Sequence, residues 1–170
     1  MMIYKSIALA TVILFFVACG GAGIDGTPPR IFESGKQMAA LAKLGITEIS
    51  PEELNEKLDS EDMFMLVDVR EMNEYDQETI DGAFHLPRGQ IEFKIDSESF
   101  WDEQAMYVPE KDEEIIIFCS NGQRGALATE TLATLGYTNV KNLAGGFLVW
   151  KYGPDAVEEE ESVPETGGCG

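Results

Sequence analysis

The stretch that decides the fold is residues 115–125, which read Ile-Ile-Ile-Phe-Cys-Ser-Asn-Gly-Gln-Arg-Gly. Four consecutive apolar residues predict a strand that is buried on both faces. Cys119 follows this strand, a short polar loop follows the cysteine, and residues 126–135 have a helix-forming sequence. We therefore expect Cys119 at the carboxyl end of a strand and before the amino end of a helix, the edge at which open α/β sheets bind ligands.

The loop after Cys119 has the composition of an anion-binding cup. Four residues separate Cys119 from Arg124, which is enough for the loop to curl with the thiolate at its base. Backbone amides and a helix N-terminus favour negative charge, so the thiolate is the form of the cysteine that they stabilise. Gly122 lets amides approach a ligand closely, and Arg124 adds a fixed positive charge. Such a cup suits a compact anion delivered to sulfur. Burial of a small apolar cysteine, the alternative, explains neither the glycine nor the arginine.

The loop resembles the Cys-x-x-Gly-x-Arg loop of the rhodanese (sulfurtransferase) family. Phosphatases and arsenate reductases on a similar scaffold carry one more residue between Cys and Arg, so the shorter loop favours sulfur over phosphate. The resemblance extends over residues 48–152. Leu-Val-Asp-Val-Arg-Glu at 66–71, Glu-Tyr at 74–75, Ile-Asp-Gly-Ala at 80–83 and Leu-Pro at 86–87 look like the first signature of the family. Asn-Leu-Ala-Gly-Gly-Phe at 142–147, with Trp150, looks like the closing one.

The resemblance implies an enzyme of the thiosulfate sulfurtransferase type. Cys119 would be the catalytic residue and would carry the sulfur as a persulfide, taken from a small anionic donor such as thiosulfate. A thiol, a thiol-bearing protein or cyanide would accept it, and two half-reactions predict ping-pong kinetics. No cofactor or metal is implied, and no residue set has metal-ligand spacing. The substrate-binding residues would be Arg124, Ser120, Asn121, Gly122, Gln123 and Gly125.

Two other functions stay open. The chain is alternatively a persulfide or redox carrier, or a sensing module, that serves a protein partner without turnover. A phosphatase-like enzyme is the other possibility, which the short loop weakens. A Cys-His protease is rejected because His85 is the single histidine and is expected to be structural or exposed.

Two positions depart from the pattern of the family. Glu78 and Thr79 stand where the family has Gly-His, and we expect this change to affect a surface turn. Gly125 stands where Ser or Thr is common, and we expect the pocket rim to lose a hydroxyl there, which would affect the preferred substrate. Asp68 and Arg70 are expected to form an ion pair that braces the strand and the loop.

Hydrophobic periodicity predicts the architecture independently of the resemblance. Residues 63–69 and 115–119 are short apolar runs, residues 140–143 are predicted to form a further short strand, and helical segments alternate with them. Ser50 and Pro51 begin a helix, and Gly136 ends another. This alternation predicts an α/β fold with a parallel sheet covered on both sides. With the resemblance, we expect a central, mainly parallel five-stranded sheet in a single domain at residues 33–153. Residues 88–112 are expected to form a helix or a packed loop whose aromatics lie in the core.

The amino-terminal segment predicts export. Residues 1–19 have a Lys5 n-region, an apolar stretch and a small residue, Ala18, before Cys19, which resembles a bacterial lipoprotein box. We therefore expect lipidation at Cys19, a linker at residues 20–32, and a periplasmic or outer-envelope domain that meets the membrane only through this lipid anchor. Ordinary cleavage and an uncleaved anchor are the alternatives.

The charge of −19 argues against binding to nucleic acid. Much of it lies in residues 154–170, which we expect to form an acidic, flexible tail. Cys169 lies near its end, and a tail of this length spans about 20 Å, so Cys169 is a possible resolving thiol for Cys119. An exposed cysteine without a partner is the alternative.

Overall fold

Five short strands form one sheet, and every neighbouring pair of strands is parallel. The computed structural model describes residues 30–60 and 62–156. The strands are β1 (Thr47–Ile49), β2 (Met65–Asp68), β3 (Phe84–His85), β4 (Ile115–Phe118) and β5 (Val140–Leu143). Their order in the sheet is β1-β5-β4-β2-β3. The predicted α/β fold is confirmed, and the sheet is entirely parallel. The strand predicted to begin at Met63 begins at Met65, because the Met63 side chain is exposed.

Helices connect the strands and cover both faces of the sheet. They are α1 (Gly35–Lys43), α2 (Pro51–Asp59), α3 (Met72–Tyr75), α4 (Ile91–Lys94), α5 (Glu98–Glu103), α6 (Gln123–Thr134) and α7 (Gly146–Tyr152), followed by a 3-10 turn at Pro154–Ala156. Local sequence sets several of their ends. Ser50 and Glu53 form the capping box that begins α2, with Pro51 at the first helical position. After α6, Gly136 has the positive φ of 89° that ends a helix.

Alternate residues of the central strands point into two separate cores. Ile115 and Ile117 of β4 pack with α6 residues and with Trp101, whereas Ile116 and Phe118 pack with residues of α2 and α7. Both sets are fully buried. A strand covered on both faces favours apolar residues at successive positions, which explains the uninterrupted run at 115–118.

Residues 88–112 form the two short helices α4 and α5, so the expectation of a helix there is correct. Trp101 is completely buried and donates from its indole nitrogen to the carbonyl oxygen of Ile95 at 2.8 Å. Phe93 and Tyr107, in contrast, are 80% and 52% exposed. The expectation that the aromatics of this segment lie in the core is therefore right for Trp101 and wrong for these two.

Within the described ranges, no helix combines the length and the apolar character that a membrane span requires. The predicted export signal, Cys19 and Cys169 lie outside the described residues.

Candidate active site

Cys119 lies directly after β4, and α6 begins four residues later at Gln123. Its side chain is completely buried, and the backbone amide of Gly125 donates to Sγ at 3.3 Å. The Oδ1 atom of Asn121 lies 4.0 Å from Sγ and also accepts a hydrogen bond from the amide of Gln123 at 3.3 Å. The thiol is therefore enclosed by the loop, and one amide from the first turn of α6 donates to it.

The N-terminus of α7 holds the back of this loop. Phe147 donates from its amide to the carbonyl oxygen of Cys119 at 2.8 Å, and Leu148 donates to that of Ser120 at 2.9 Å. These two amides belong to the first turn of a helix, where they have no partner within the helix. In a planar trans peptide the C=O and the N–H point in opposite directions. The amides that follow the two anchored carbonyls therefore point away from α7.

Gly146 makes this contact possible. A Cβ atom at this position would lie 2.3 Å from the carbonyl oxygen of Cys119 and 2.6 Å from the amide nitrogen of Gly122. Its φ of 65° is also in the left-handed region. The Gly-Gly turn thus lets two backbone segments touch.

Arg124 does not reach into open solvent but pairs with Glu74 of α3. Its Nη1 and Nη2 donate to Oε2 and Oε1 of Glu74, each at 2.7 Å, and Nη2 also donates to Ser120 Oγ at 2.9 Å. The Ser120 hydroxyl donates to Glu74 Oε1 at 2.5 Å. The hydrogen bonds from Arg124 lower the pKa of Glu74 from 4.5 to about 2, against the opposing effect of its partial burial. The same bonds raise the pKa of Arg124 above its ordinary value, and the Cys119 sulfur acts in the same direction.

Glu74 is a site residue that the sequence analysis did not identify. In the sequence it stands out only as part of the Glu-Tyr pair at 74–75. The capping box between Glu71 and Glu74 fixes the start of α3, a helix of only four residues that ends at Tyr75. An acidic residue in a helix that follows the carboxyl end of a strand was the available signal, because that edge also carries the anion-binding loop.

Asn142 of β5 lies beneath the loop and is completely buried. Its Nδ2 donates to the carbonyl oxygen of Gly122 at 3.1 Å and to Glu48 Oε1 at 2.6 Å. A Cβ atom at Gly125 would lie 2.2 Å from Asn142 Oδ1. The expectation that Gly125 removes a hydroxyl from the pocket rim is therefore wrong, because a side chain there would point at Asn142 and not into the cup.

The expected ion pair of Asp68 and Arg70 is present and buried, with Nη2 and Oδ2 2.7 Å apart. The Arg70 guanidinium also lies 4.3 Å from the centre of the Phe147 ring and donates to the carbonyl oxygen of Glu78 at 2.6 Å. The Thr79 hydroxyl donates to Asp68 Oδ2 at 2.9 Å. Glu78 and Thr79 therefore do more than form a surface turn, since both support the buried pair.

His85 has a structural environment. It ends β3, stacks on Tyr75 with 4.7 Å between ring centres, and its Nε2 lies 2.9 Å from the carbonyl oxygen of Arg70. No group of three or more His, Cys, Asp or Glu residues in the described part of the chain could hold a metal ion.

Comparisons with known proteins agree with this geometry. A family model described as Rhodanese-like domain matches residues 50–152. A mitochondrial protein of Schizosaccharomyces pombe, to which thiosulfate sulfurtransferase activity is ascribed, is 34% identical over 88 residues, or 51% of this chain and 62% of that protein. A human thiosulfate:glutathione sulfurtransferase is 38% identical over 91 residues, or 50% of this chain and 76% of that protein. The chain thus spans less than two thirds of the fission-yeast relative.

One solved structure supports the same fold. A human single-domain sulfurtransferase is 33% identical and superposes with a TM-score of 0.58, covering 62% of this chain and 96% of that one.

Proposed function

The chain belongs to the rhodanese-like domain family, and on that premise we propose that it is a sulfurtransferase. It moves sulfane sulfur from a small anionic donor such as thiosulfate to a thiol or cyanide, through a persulfide on Cys119. The observation that carries the proposal is the Gly125 amide, which donates to Cys119 Sγ at 3.3 Å at the start of α6.

In the first half-reaction, the Cys119 thiolate attacks the outer sulfur of thiosulfate. A new S–S bond forms, the bond between the two sulfur atoms of thiosulfate breaks, and its electron pair leaves with sulfite. The product on the enzyme is a Cys119 persulfide, whose outer sulfur carries the negative charge. Amides that point into the cup stabilise this charge without having to reorient during the reaction.

In the second half-reaction, an acceptor takes the outer sulfur. Cyanide leaves as thiocyanate, a thiolate leaves as a persulfide, and the Cys119 thiolate is restored. A human relative is named for transfer from thiosulfate to glutathione, which supports a thiol as the acceptor here. Cys169 is an acceptor within the same chain that this scheme permits. Replacement by serine tests it, because unchanged turnover and an unchanged product mixture would exclude the relay.

The loop argues against phosphate as the substrate. Four residues separate Cys119 from Arg124, and both terminal nitrogens of Arg124 bind the Glu74 carboxylate. The ion pair has no net charge, which leaves mainly backbone amides to attract the donor. Thiosulfate is also a tetrahedral dianion, but it is attacked at its terminal sulfur, so only that sulfur has to enter the cup. In phosphoryl transfer the loop must surround the whole tetrahedral group, which needs a wider cup.

We place the domain outside the cytoplasm, anchored by a lipid at Cys19. The sequence of residues 1–19 supports this placement. Globomycin-sensitive processing, together with metabolic labelling by a palmitate analogue, tests it. Loss of the label in Cys19→Ser is the expected result, and a label that persists in this variant would exclude the anchor.

Intact-protein mass spectrometry after mild thiosulfate treatment tests the sulfurtransferase proposal. We expect a gain of about 32 Da, one sulfur atom, in the parent protein and no gain in Cys119→Ser. Absence of the adduct with thiosulfate and with a mercaptopyruvate-type donor would overturn the proposal, as would an adduct that persists in Cys119→Ser.

Steady-state assays separate the enzyme from its alternatives. Turnover of thiosulfate with cyanide is expected, and turnover of an aryl phosphate is not. A stable adduct without turnover would show that the protein is a persulfide carrier and not an enzyme. Turnover of the aryl phosphate alone would show that it is a phosphatase.

A further inference from the structure

Asn142 is a polar side chain in the buried interior of the fold. It is the third residue of β5 and its side chain is completely buried. Its Oδ1 has no hydrogen-bond partner among the described residues. A buried acceptor without a partner costs free energy. The two donors of the same carboxamide must therefore offset this cost, and one of them binds the loop carbonyl of Gly122.

The hydrogen bond to Gly122 fixes the direction of the next amide. The described chain has no cis peptide bond, so the Gln123 N–H points away from the Gly122 carbonyl. Its acceptor is Asn121 Oδ1 at 3.3 Å, and that oxygen lies 4.0 Å from Cys119 Sγ. The Gln123 amide therefore points toward the space beside the sulfur.

Glu48 and Gly125 keep Asn142 in this orientation. The Glu48 carboxylate accepts a hydrogen bond from Nδ2 at 2.6 Å. A flip of the carboxamide by 180° would place Oδ1 against this carboxylate, so the observed orientation is the favoured one. Gly125 leaves the space that Oδ1 fills, since a Cβ there would lie 2.2 Å from this oxygen. The conformation of the loop thus depends on a residue that does not belong to it.

We propose that Asn142 is a positioning residue, which aims the Gln123 amide at the outer sulfur of the Cys119 persulfide. In the absence of that sulfur, Asn121 Oδ1 occupies the acceptor position, and the bound sulfur displaces it. This inference rests on the proposed sulfur transfer. Asn142 stabilises the outer sulfur of the persulfide through the Gln123 amide, whereas the Gly125 amide donates to Sγ itself.

Asn142→Leu tests this assignment, because leucine has a similar size and branching, cannot donate to Gly122, and adds no second carboxylate beside Glu48. We expect the adduct of about 32 Da to form about tenfold more slowly in single-turnover experiments and to be lost about tenfold faster after the donor is removed. Alkylation of the unloaded thiol by iodoacetamide should change less than about threefold, because the Gly125 amide is still present. A general disturbance of the loop would alter both reactions alike. Thr129→Val is the matched control, since Thr129 on α6 is also buried with an unpartnered hydroxyl and makes no hydrogen bond to the loop.

A double-mutant cycle with Gly125→Ala provides the second test. The alanine Cβ would displace the Asn142 carboxamide, so Gly125→Ala should reproduce the loss seen in Asn142→Ala. In the Asn142→Ala/Gly125→Ala double variant, Gly125→Ala should add little to the loss of persulfide stability, because no carboxamide is left at position 142 for the alanine Cβ to displace. Additive losses would show that Gly125 acts independently and would overturn the inference.

The outcomes distinguish failure of this inference from failure of the proposed sulfur transfer. An adduct that never forms in the parent protein overturns the sulfur transfer and the inference with it. Equal formation and lifetime in the parent and in Asn142→Leu overturn the inference alone. Unfolding of both Asn142→Leu and Asn142→Ala under the conditions of the assay would make Asn142 a structural residue and would overturn it as well.

Discussion

Glu74 and Arg124, fifty residues apart in the chain, bind each other through two parallel hydrogen bonds of 2.7 Å. This bidentate pair joins α3 to the first turn of α6 and includes the Ser120 hydroxyl. It fixes the guanidinium beside the cup and neutralises most of its charge. The pair therefore positions the loop at least as much as it attracts an anion.

The pair makes stability depend on pH in the acid range. Because the pKa of Glu74 lies at about 2, below its ordinary value of 4.5, its contribution is complete above pH 4.5 and is lost as the pH falls toward 2. The side chain is 28% exposed, so we expect a contribution of about 1–3 kcal/mol. Urea unfolding between pH 6 and pH 2.5 should show a flatter curve for Glu74→Gln than for the parent. Glu130→Gln, an exposed change on α6, should follow the parent, and parallel curves for parent and Glu74→Gln would contradict the prediction.

The geometry of Arg124 should matter beyond its charge. Arg124→Lys keeps the positive charge but cannot make both hydrogen bonds to Glu74 and a third to Ser120. We expect kcat/KM for thiosulfate to fall about tenfold to a hundredfold. Arg88→Lys, in a surface pair with Glu92, should stay within about twofold of the parent. Parent-like kinetics of Arg124→Lys would reduce the role of Arg124 to that of a point charge.

The contact between Gly146 and the loop should tolerate no side chain. Gly146→Ala places a Cβ within 2.3 Å of a backbone oxygen, and backbone cannot move aside as a side chain can. We expect a loss of about 2 kcal/mol or more in the free energy of unfolding, together with loss of the thiosulfate adduct. Gly136→Ala is the control, because Gly136 has a similar φ of 89° and open space around its Cα. It should cost about 1 kcal/mol and keep the adduct. An active, stable Gly146→Ala would refute the close approach.

The buried pair of Asp68 and Arg70 should be a stability element. Asp68→Ala leaves the Arg70 guanidinium buried without its carboxylate, and we expect a loss of about 3–5 kcal/mol by chemical denaturation. Glu92→Ala removes the partner of a more exposed ion pair and should cost less than about 1 kcal/mol. Equal losses in the two variants would mean that burial of the first pair has no energetic consequence.

Some features of the site were visible in the sequence because they are local. The apolar run at 115–118, the cysteine after it and the helix that follows all lie within about twenty residues, and each has its own signature of periodicity or composition. The capping box of Ser50 and Glu53 is equally local. The α/β fold and the position of Cys119 follow from such short-range patterns.

Other features could not be read in this way. Met63 and Phe93 are apolar in sequence, yet both are exposed, since burial depends on which elements cover a residue. The direction of a side chain at position 125 is not visible in the sequence either, because it depends on Asn142, seventeen residues further on in β5.

The sequence by itself determined the parallel α/β architecture, the Cys-x-x-Gly-x-Arg loop and the place of that loop at a strand end. Only the tertiary structure decided what holds the loop: Glu74 on Arg124, the α7 amides on the carbonyls of Cys119 and Ser120, and Asn142 on Gly122. Periodicity and spacing report interactions between residues close in the chain. These three contacts join residues 20 to 50 positions apart, and their partners are set by the packing of the sheet and its helices.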